Sequence, residues 1–160
     1  FTRGKFNYHA YGDKFAKYIV KEVKPFIDET FKTIPESSGF AGSSMGGLFS
    51  FYISTTYPEI FKFALVYSNA LCLYKKKTLD KMFEKWNPTV SSCPRLSIYA
   101  GAKDKFESKF AKSSEDLYNF MKSRGFTDND VSLIIDKNEI HHESAWSKYV
   151  EKSLLFINNK

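Results

Sequence analysis

The stretch Gly42-Ser43-Ser44-Met45-Gly46 sets a hydroxyl between two glycines. G-x-S-x-G is the pattern of a nucleophile elbow, a sharp turn from strand to helix that lifts a serine above a sheet. The glycines allow the tight turn and let neighbouring backbone approach closely. Such a turn would place Ser44 at a helix N-terminus, where free N–H groups and the helix dipole favour a developing negative charge. The Met45 backbone N–H would then be one oxyanion donor. A serine hydroxyl is a poor nucleophile and needs a base within reach. The sequence holds three histidines, His9, His141 and His142. A carboxylate must in turn orient the base, and Asp104, Asp80, Glu107 and Asp136 are the candidates.

Hydrophobic spacing predicts the elements that would hold these groups. Over 13–31 apolar residues recur three and four apart, which marks an amphipathic helix, with Pro25 expected to kink or restart it. Pro35 and Ser37-Ser38-Gly39 then break the chain. Strands are predicted over 39–43, 61–67, 95–100 and 131–135. Helices are predicted over 45–57, 78–86, 106–124 and 143–158, with Gly125 just past the third, where a left-handed residue is favoured. Apolar strands alternating with helices predict an α/β fold, a parallel sheet of about four strands covered on both faces. In such sheets the site lies beyond the carboxyl ends of the strands. Ser44, Asp104 and His141 each follow a predicted strand, in the chain order Ser, Asp, His that a nucleophile elbow calls for. Asp104 could instead merely cap the helix that begins near Phe106. His142 competes with His141, and His9 reads as a surface residue.

Composition narrows the classes. With 42% apolar, 18% aromatic and 26% charged residues, the 160-residue chain has a globular composition and enough apolar mass for a sizeable core. No run approaches the ~20 apolar residues of a membrane-spanning helix. The net charge of +6 is spread over single lysines apart from Lys75-Lys76-Lys77, and no nucleic-acid motif is present, so no nucleic-acid partner is expected. Cys72 and Cys93 form no CxxC pair, and no Cys/His metal spacing occurs. No metal and no cofactor is expected.

Several stretches together resemble an esterase family of the α/β-hydrolases that includes enterochelin-esterase-like, feruloyl-esterase-like and S-formylglutathione-hydrolase-like enzymes. One is Ile34-Pro35 through Ala41-Gly42-Ser43-Ser44-Met45-Gly46-Gly47-Leu48. Another, Glu22-Val23-Lys24-Pro25-Phe26-Ile27-Asp28, is similar to the family's E-L-x-P-Y-I-D segment. Tyr57-Pro58-Glu59-Ile60-Phe61 is similar to its Y-P-E-x-F, with Ser68 following where the family often has a serine. His141-His142-Glu143-Ser144-Ala145-Trp146 is similar to its H-x-E-x-A-W. The resemblance covers roughly residues 10–158. It implies Ser44 as nucleophile, His141 rather than His142 as base, and Asp104, in the family's G-x-x-D turn, as acid.

The length of 160 residues predicts a single domain over 1–160, and the resemblance implies a small-molecule ester as substrate. The alternative is a non-catalytic relative used for binding or assembly. Family members place several strands ahead of the helix that starts here near Asp13, and one loop there supplies the second oxyanion donor. Nothing in 1–12 maps to it, and no signal peptide is read there. The expectation is therefore a C-terminal part of a longer esterase, weak or inactive by itself. Its partner at the exposed edge of strand 39–43 would be its own N-terminal segment or another copy. Segment 70–90 is where a lid or cap is expected. Phe40, Tyr74, Phe83 and Trp86 are candidates for an acyl or aryl pocket.

Overall fold

The computed structural model describes residues 11–75, 77, 89 and 93–159, which fall into two compact units, Phe1–Pro35 and Glu36–Lys160.

The first unit is helical. Helix α1 (Gly12–Tyr18) runs into a π-helical turn (Ile19–Val23) and on into α2 (Lys24–Thr30). The α-helix restarts at Lys24 with Pro25 in its first turn, while Val23 and Lys24 keep helical dihedrals. Proline lacks the N–H and its ring crowds the carbonyl four residues earlier. The wider π turn lies over that carbonyl, and helical backbone continues past the proline. Lys24 pairs with Asp28, which also accepts a 2.8 Å hydrogen bond from the Thr33 hydroxyl. The Lys24 bond, then that of Thr33, holds the Asp28 carboxyl below its ordinary range.

The second unit contains the sheet. Strands β1 (Ser38–Ser43), β2 (Phe61–Tyr67), β3 (Arg95–Gly101) and β4 (Val131–Asp136) lie side by side in that order, all parallel. Helix α3 (Met45–Thr56) follows β1, α4 (Glu107–Ser123) follows β3, and α5 (Glu143–Ser147) and α6 (Val150–Asn158) follow β4. The predicted strands thus sit within a residue of their positions. Parallel strands must be joined by crossovers, and helices on both faces bury the inner strands through and through. From Ala64 to Tyr67 and from Leu96 to Gly101 every residue is buried. Side chains alternate across the sheet. Ala64, Val66, Leu96 and Ile98 pack with Phe51 of α3 and Leu117 and Met121 of α4. On the opposite face Leu65, Tyr67 and Tyr99 pack with Trp146 of α5, and Ile157 of α6 joins them.

Two details refine the reading. Helix α4 ends as predicted at Gly125 (φ 89°): its N–H reaches the Lys122 carbonyl and the Phe126 N–H the Met121 carbonyl, which seats Phe126 in the core. The single helix predicted over 143–158 is instead two, parted near Tyr149, whose ring stacks on Tyr99 at 4.2 Å and whose hydroxyl bonds Asp136. The predicted helix over 78–86 and most of the proposed lid lie outside the described residues.

Candidate active site

Ser44 sits between β1 and α3 with φ 57° and ψ −121°. Such backbone is sparsely populated for a residue with a side chain and costs ~1–3 kcal/mol. Its surroundings fix it. The Ser44 N–H donates to the Tyr67 carbonyl at 2.9 Å, and the Ser44 carbonyl accepts from Leu48 N–H at 3.1 Å. A Cβ on Gly47 would stand 2.5 Å from the Tyr67 carbonyl oxygen, and one on Gly42 would run into the Gly46 backbone. The glycines are therefore required by close packing of main chain on main chain. Met45 opens α3, in the first turn whose N–H groups have no intrahelical acceptor.

His141 lies in the loop after β4, beyond the same carboxyl edge of the sheet as Ser44. The loop folds back over β3: Ala102 N–H donates to the Asp136 carbonyl and Lys103 N–H to that of Glu139. The imidazole stands among Phe110, Phe106 and Trp146, with ring centroids 4.3, 5.3 and 5.0 Å away. Its Nδ1 meets Glu107 Oε2 at 2.5 Å. Glu107 is fully buried, while the imidazole keeps 16% of its surface. A neutral imidazole that donates from Nδ1 to a carboxylate keeps the lone pair of Nε2.

Glu107 is held from its other side as well. Oε1 accepts the Ser68 hydroxyl at 2.5 Å and the Gly101 N–H at 3.0 Å. Its position in the first turn of α4 adds the favourable end of the helix dipole. A buried carboxylate is tolerated when its oxygens are satisfied in this way.

The structure corrects one sequence-derived assignment. The carboxylate against His141 is Glu107 and not Asp104. Asp104 Oδ1 accepts the Glu107 N–H at 2.8 Å, and so caps α4. Asp-x-x-Glu at a helix start reads as a capping box, in which the glutamate would turn back to the cap residue. Here half of the box forms and Glu107 turns to the imidazole instead. One signal in the sequence marks it. Glu107 lies in register with Phe110, Ala111, Ser114, Leu117 and Met121, the buried stripe of α4. A carboxylate heading an apolar stripe is rarely buried without a partner.

The other candidates separate clearly. His142 Nδ1 accepts from Ser144 N–H at 3.2 Å and caps α5. Asp136 is engaged by the Tyr149 hydroxyl, which is the first cause of its lowered pKa, with the Asn138 N–H second. Phe40 packs edge-on against Phe49 and Phe61 at 5.5 and 5.7 Å, and Tyr74 is exposed. Asp80, Phe83, Trp86 and His9 lie outside the described residues. Cys72 and Cys93 are free thiols, and burial pushes Cys93 up to about 12. Among the described residues no group of three or more His, Cys, Asp or Glu could hold a metal ion. No helix among them is long and apolar enough to cross a membrane.

A family model described as "Putative esterase" matches residues 6–152. The chain belongs to that family. It is 24% identical to the uncharacterized protein YbbA of Bacillus subtilis (strain 168) over 98% of its own length and 62% of that protein's. Its fold is that of the enterobactin esterase of Shigella flexneri, with a TM-score of 0.75 at 16% identity over 91% of this chain and 38% of the other. It also matches the S-formylglutathione hydrolase of Staphylococcus aureus, with a TM-score of 0.69 at 18% identity over 93% of this chain and 62% of the other. The chain thus spans less than two thirds of the length of each of these relatives.

Proposed function

We propose that this chain carries the catalytic groups of a serine esterase that cleaves a small carboxylic ester through an acyl-enzyme, with Ser44 as nucleophile, His141 as base and Glu107 as the acid. The observation that carries the reading is the backbone of Ser44, φ 57° and ψ −121° at a strand-to-helix junction walled by glycine. Strain of that kind persists only where packing over-determines it, and a plain surface turn would not need it. The His141–Glu107 pair and the family membership support the same reading.

In this mechanism Nε2 of His141 takes the Ser44 proton as Oγ attacks the ester carbonyl carbon. The carbonyl oxygen becomes an oxyanion that Met45 N–H stabilises. Glu107 fixes the Nδ1–H tautomer and stabilises the imidazolium. The tetrahedral intermediate collapses, the carbon–oxygen bond to the alcohol breaks, and the alcohol leaves with the proton from His141. Water then attacks the acyl-enzyme, with His141 again as base, and releases the acid and free Ser44.

The test is fluorophosphonate treatment followed by intact-mass measurement and peptide mapping. One adduct on Ser44, absent from Ser44→Ala, together with ester turnover lost in the same variant, is expected. No adduct, or an adduct mapped to another residue, would overturn the assignment and favour the non-catalytic alternative.

A further inference from the structure

Ser68 directly follows β2 with φ 42°, and with Ser44 is one of two non-glycine residues at positive φ among the described residues. Glycine adopts such backbone without strain, so a serine there brings strain along with its hydroxyl. The residue is fully buried, and its N–H is taken by the Tyr99 carbonyl at 2.6 Å. The hydroxyl has two partners. The Trp146 indole Nε1–H donates to it at 2.9 Å, and it lies 2.5 Å from Glu107 Oε1.

The polarity of this chain is forced. An indole N–H only donates and a carboxylate only accepts, so the serine hydrogen must lie toward Glu107. The Trp146 ring also stands edge-on to His141. A glutamate side chain has three rotatable torsions, and one hydrogen bond to an imidazole does not fix them. Ser68, with Gly101 N–H, fixes the oxygen that His141 does not touch.

We propose that Ser68 is a positioning residue: aligned by Trp146, its hydroxyl holds the Glu107 carboxylate in the orientation that serves Nδ1 of His141. The inference rests on the serine-esterase reading and adds to it a residue that acts through Glu107 and never meets substrate.

The experiment uses the whole chain with 15N-labelled histidine. It compares wild type, Ser68→Ala, Ser68→Gly and Glu107→Gln by the His141 tautomer, read from long-range 1H–15N correlations, and by the fluorophosphonate labelling of Ser44. Wild type is expected in the Nδ1–H form. Both Ser68 variants should shift toward the Nε2–H form, as Glu107→Gln does. Their maximal labelling rate should fall on the order of ten- to a hundredfold, the range of one hydrogen bond to a charged group. The reagent concentration at half-maximal rate should stay near wild type, which a general loosening of the fold would not produce. Ser68→Gly relieves the positive φ and so guards against misfolding of the alanine variant. An unchanged tautomer, or an unchanged labelling rate in the folded variants, overturns the proposal. Unfolding of both variants does so too, by assigning Ser68 to the fold alone. If wild-type Ser44 takes no label, the esterase reading fails separately, and the tautomer comparison still decides the role of Ser68.

Discussion

At Ser44 the chain reverses on backbone alone. Gly42 and Gly47 leave room by having no side chain, and the fixing hydrogen bonds run between main-chain groups of Ser44, Tyr67 and Leu48. Around His141 the materials are the opposite. The Glu107 carboxylate, the Ser68 hydroxyl, the Trp146 indole and two phenylalanine rings surround the imidazole, and the main chain adds the Gly101 N–H on Glu107 and the Ser68 N–H on the Tyr99 carbonyl. The first region is sensitive to an added carbon atom. The second is sensitive to a lost donor or acceptor as well as to an added carbon at Gly101, where a Cβ would stand 2.3 Å from the Glu139 carbonyl oxygen. The two regions can therefore be broken independently, by different kinds of substitution.

The largest expected effect falls on the side-chain region. If the proposed role holds, Glu107→Gln, which replaces an acceptor with an amide of the same shape, should slow labelling of Ser44 on the order of 10³–10⁴-fold, as loss of the acid does in the Ser-His-Asp triad. Asp104→Asn, assayed alongside, should label at close to the wild-type rate. Equal losses in both would return the acid role to Asp104.

Next comes the backbone region. Gly47→Ala should destabilise the protein by about 3 kcal/mol or more, since the added carbon meets a carbonyl that cannot move without breaking β2. Gly46→Ala, one residue away and in open space, should instead gain up to ~1 kcal/mol of helix stability. Urea unfolding of the pair tests this, and a stable Gly47→Ala would end the description of the elbow as packed backbone.

A smaller effect separates cap from acid within one turn. Asp104→Ala should cost ~1 kcal/mol through the lost N-cap of α4, visible in the urea midpoint, with Ser44 labelling preserved.

The smallest effect is a pH dependence to which the stacked Tyr99 and Tyr149 contribute. The bond to Asp136, then burial, raises Tyr149 to about 12, and burial raises Tyr99. Groups whose folded pKa is raised keep their protons longer in the folded state than in the unfolded one. Their contribution is thus complete below pH ~10, the ordinary tyrosine value, and fades as the pH rises toward 12. Urea unfolding at pH 8 and pH 11 should show lower stability at pH 11, and Tyr149→Phe should lessen the difference. An equal difference in the variant would exclude Tyr149 as a source.

The same contrast explains what the sequence disclosed. The strand-to-helix turn at Ser44 was legible because a backbone turn writes itself locally: five consecutive residues and two flanking elements carry the whole requirement. The strands were legible because burial on both faces leaves short apolar runs, as in Phe63-Ala64-Leu65-Val66. Which carboxylate meets His141 was not legible because Asp104 and Glu107 lie three residues apart, both at a helix start where either has a local reason to be. Only the distant imidazole discriminates between them. The π turn before Pro25 was hidden for a related reason: the proline signals a broken hydrogen bond, but not how the preceding turn absorbs it.

The link from the Trp146 indole to the Ser68 hydroxyl spans 78 positions, and that from His141 to Glu107 spans 34. Long closures in a parallel sheet carry an entropic cost that must be met before their contacts form, which makes them late events in folding. Helix α3 can form early, yet the imidazole reaches its carboxylate only after β4 has docked beside β3. Labelling competence at Ser44 would therefore lag behind the recovery of helical signal during refolding, and the delay would report the docking of the last strand.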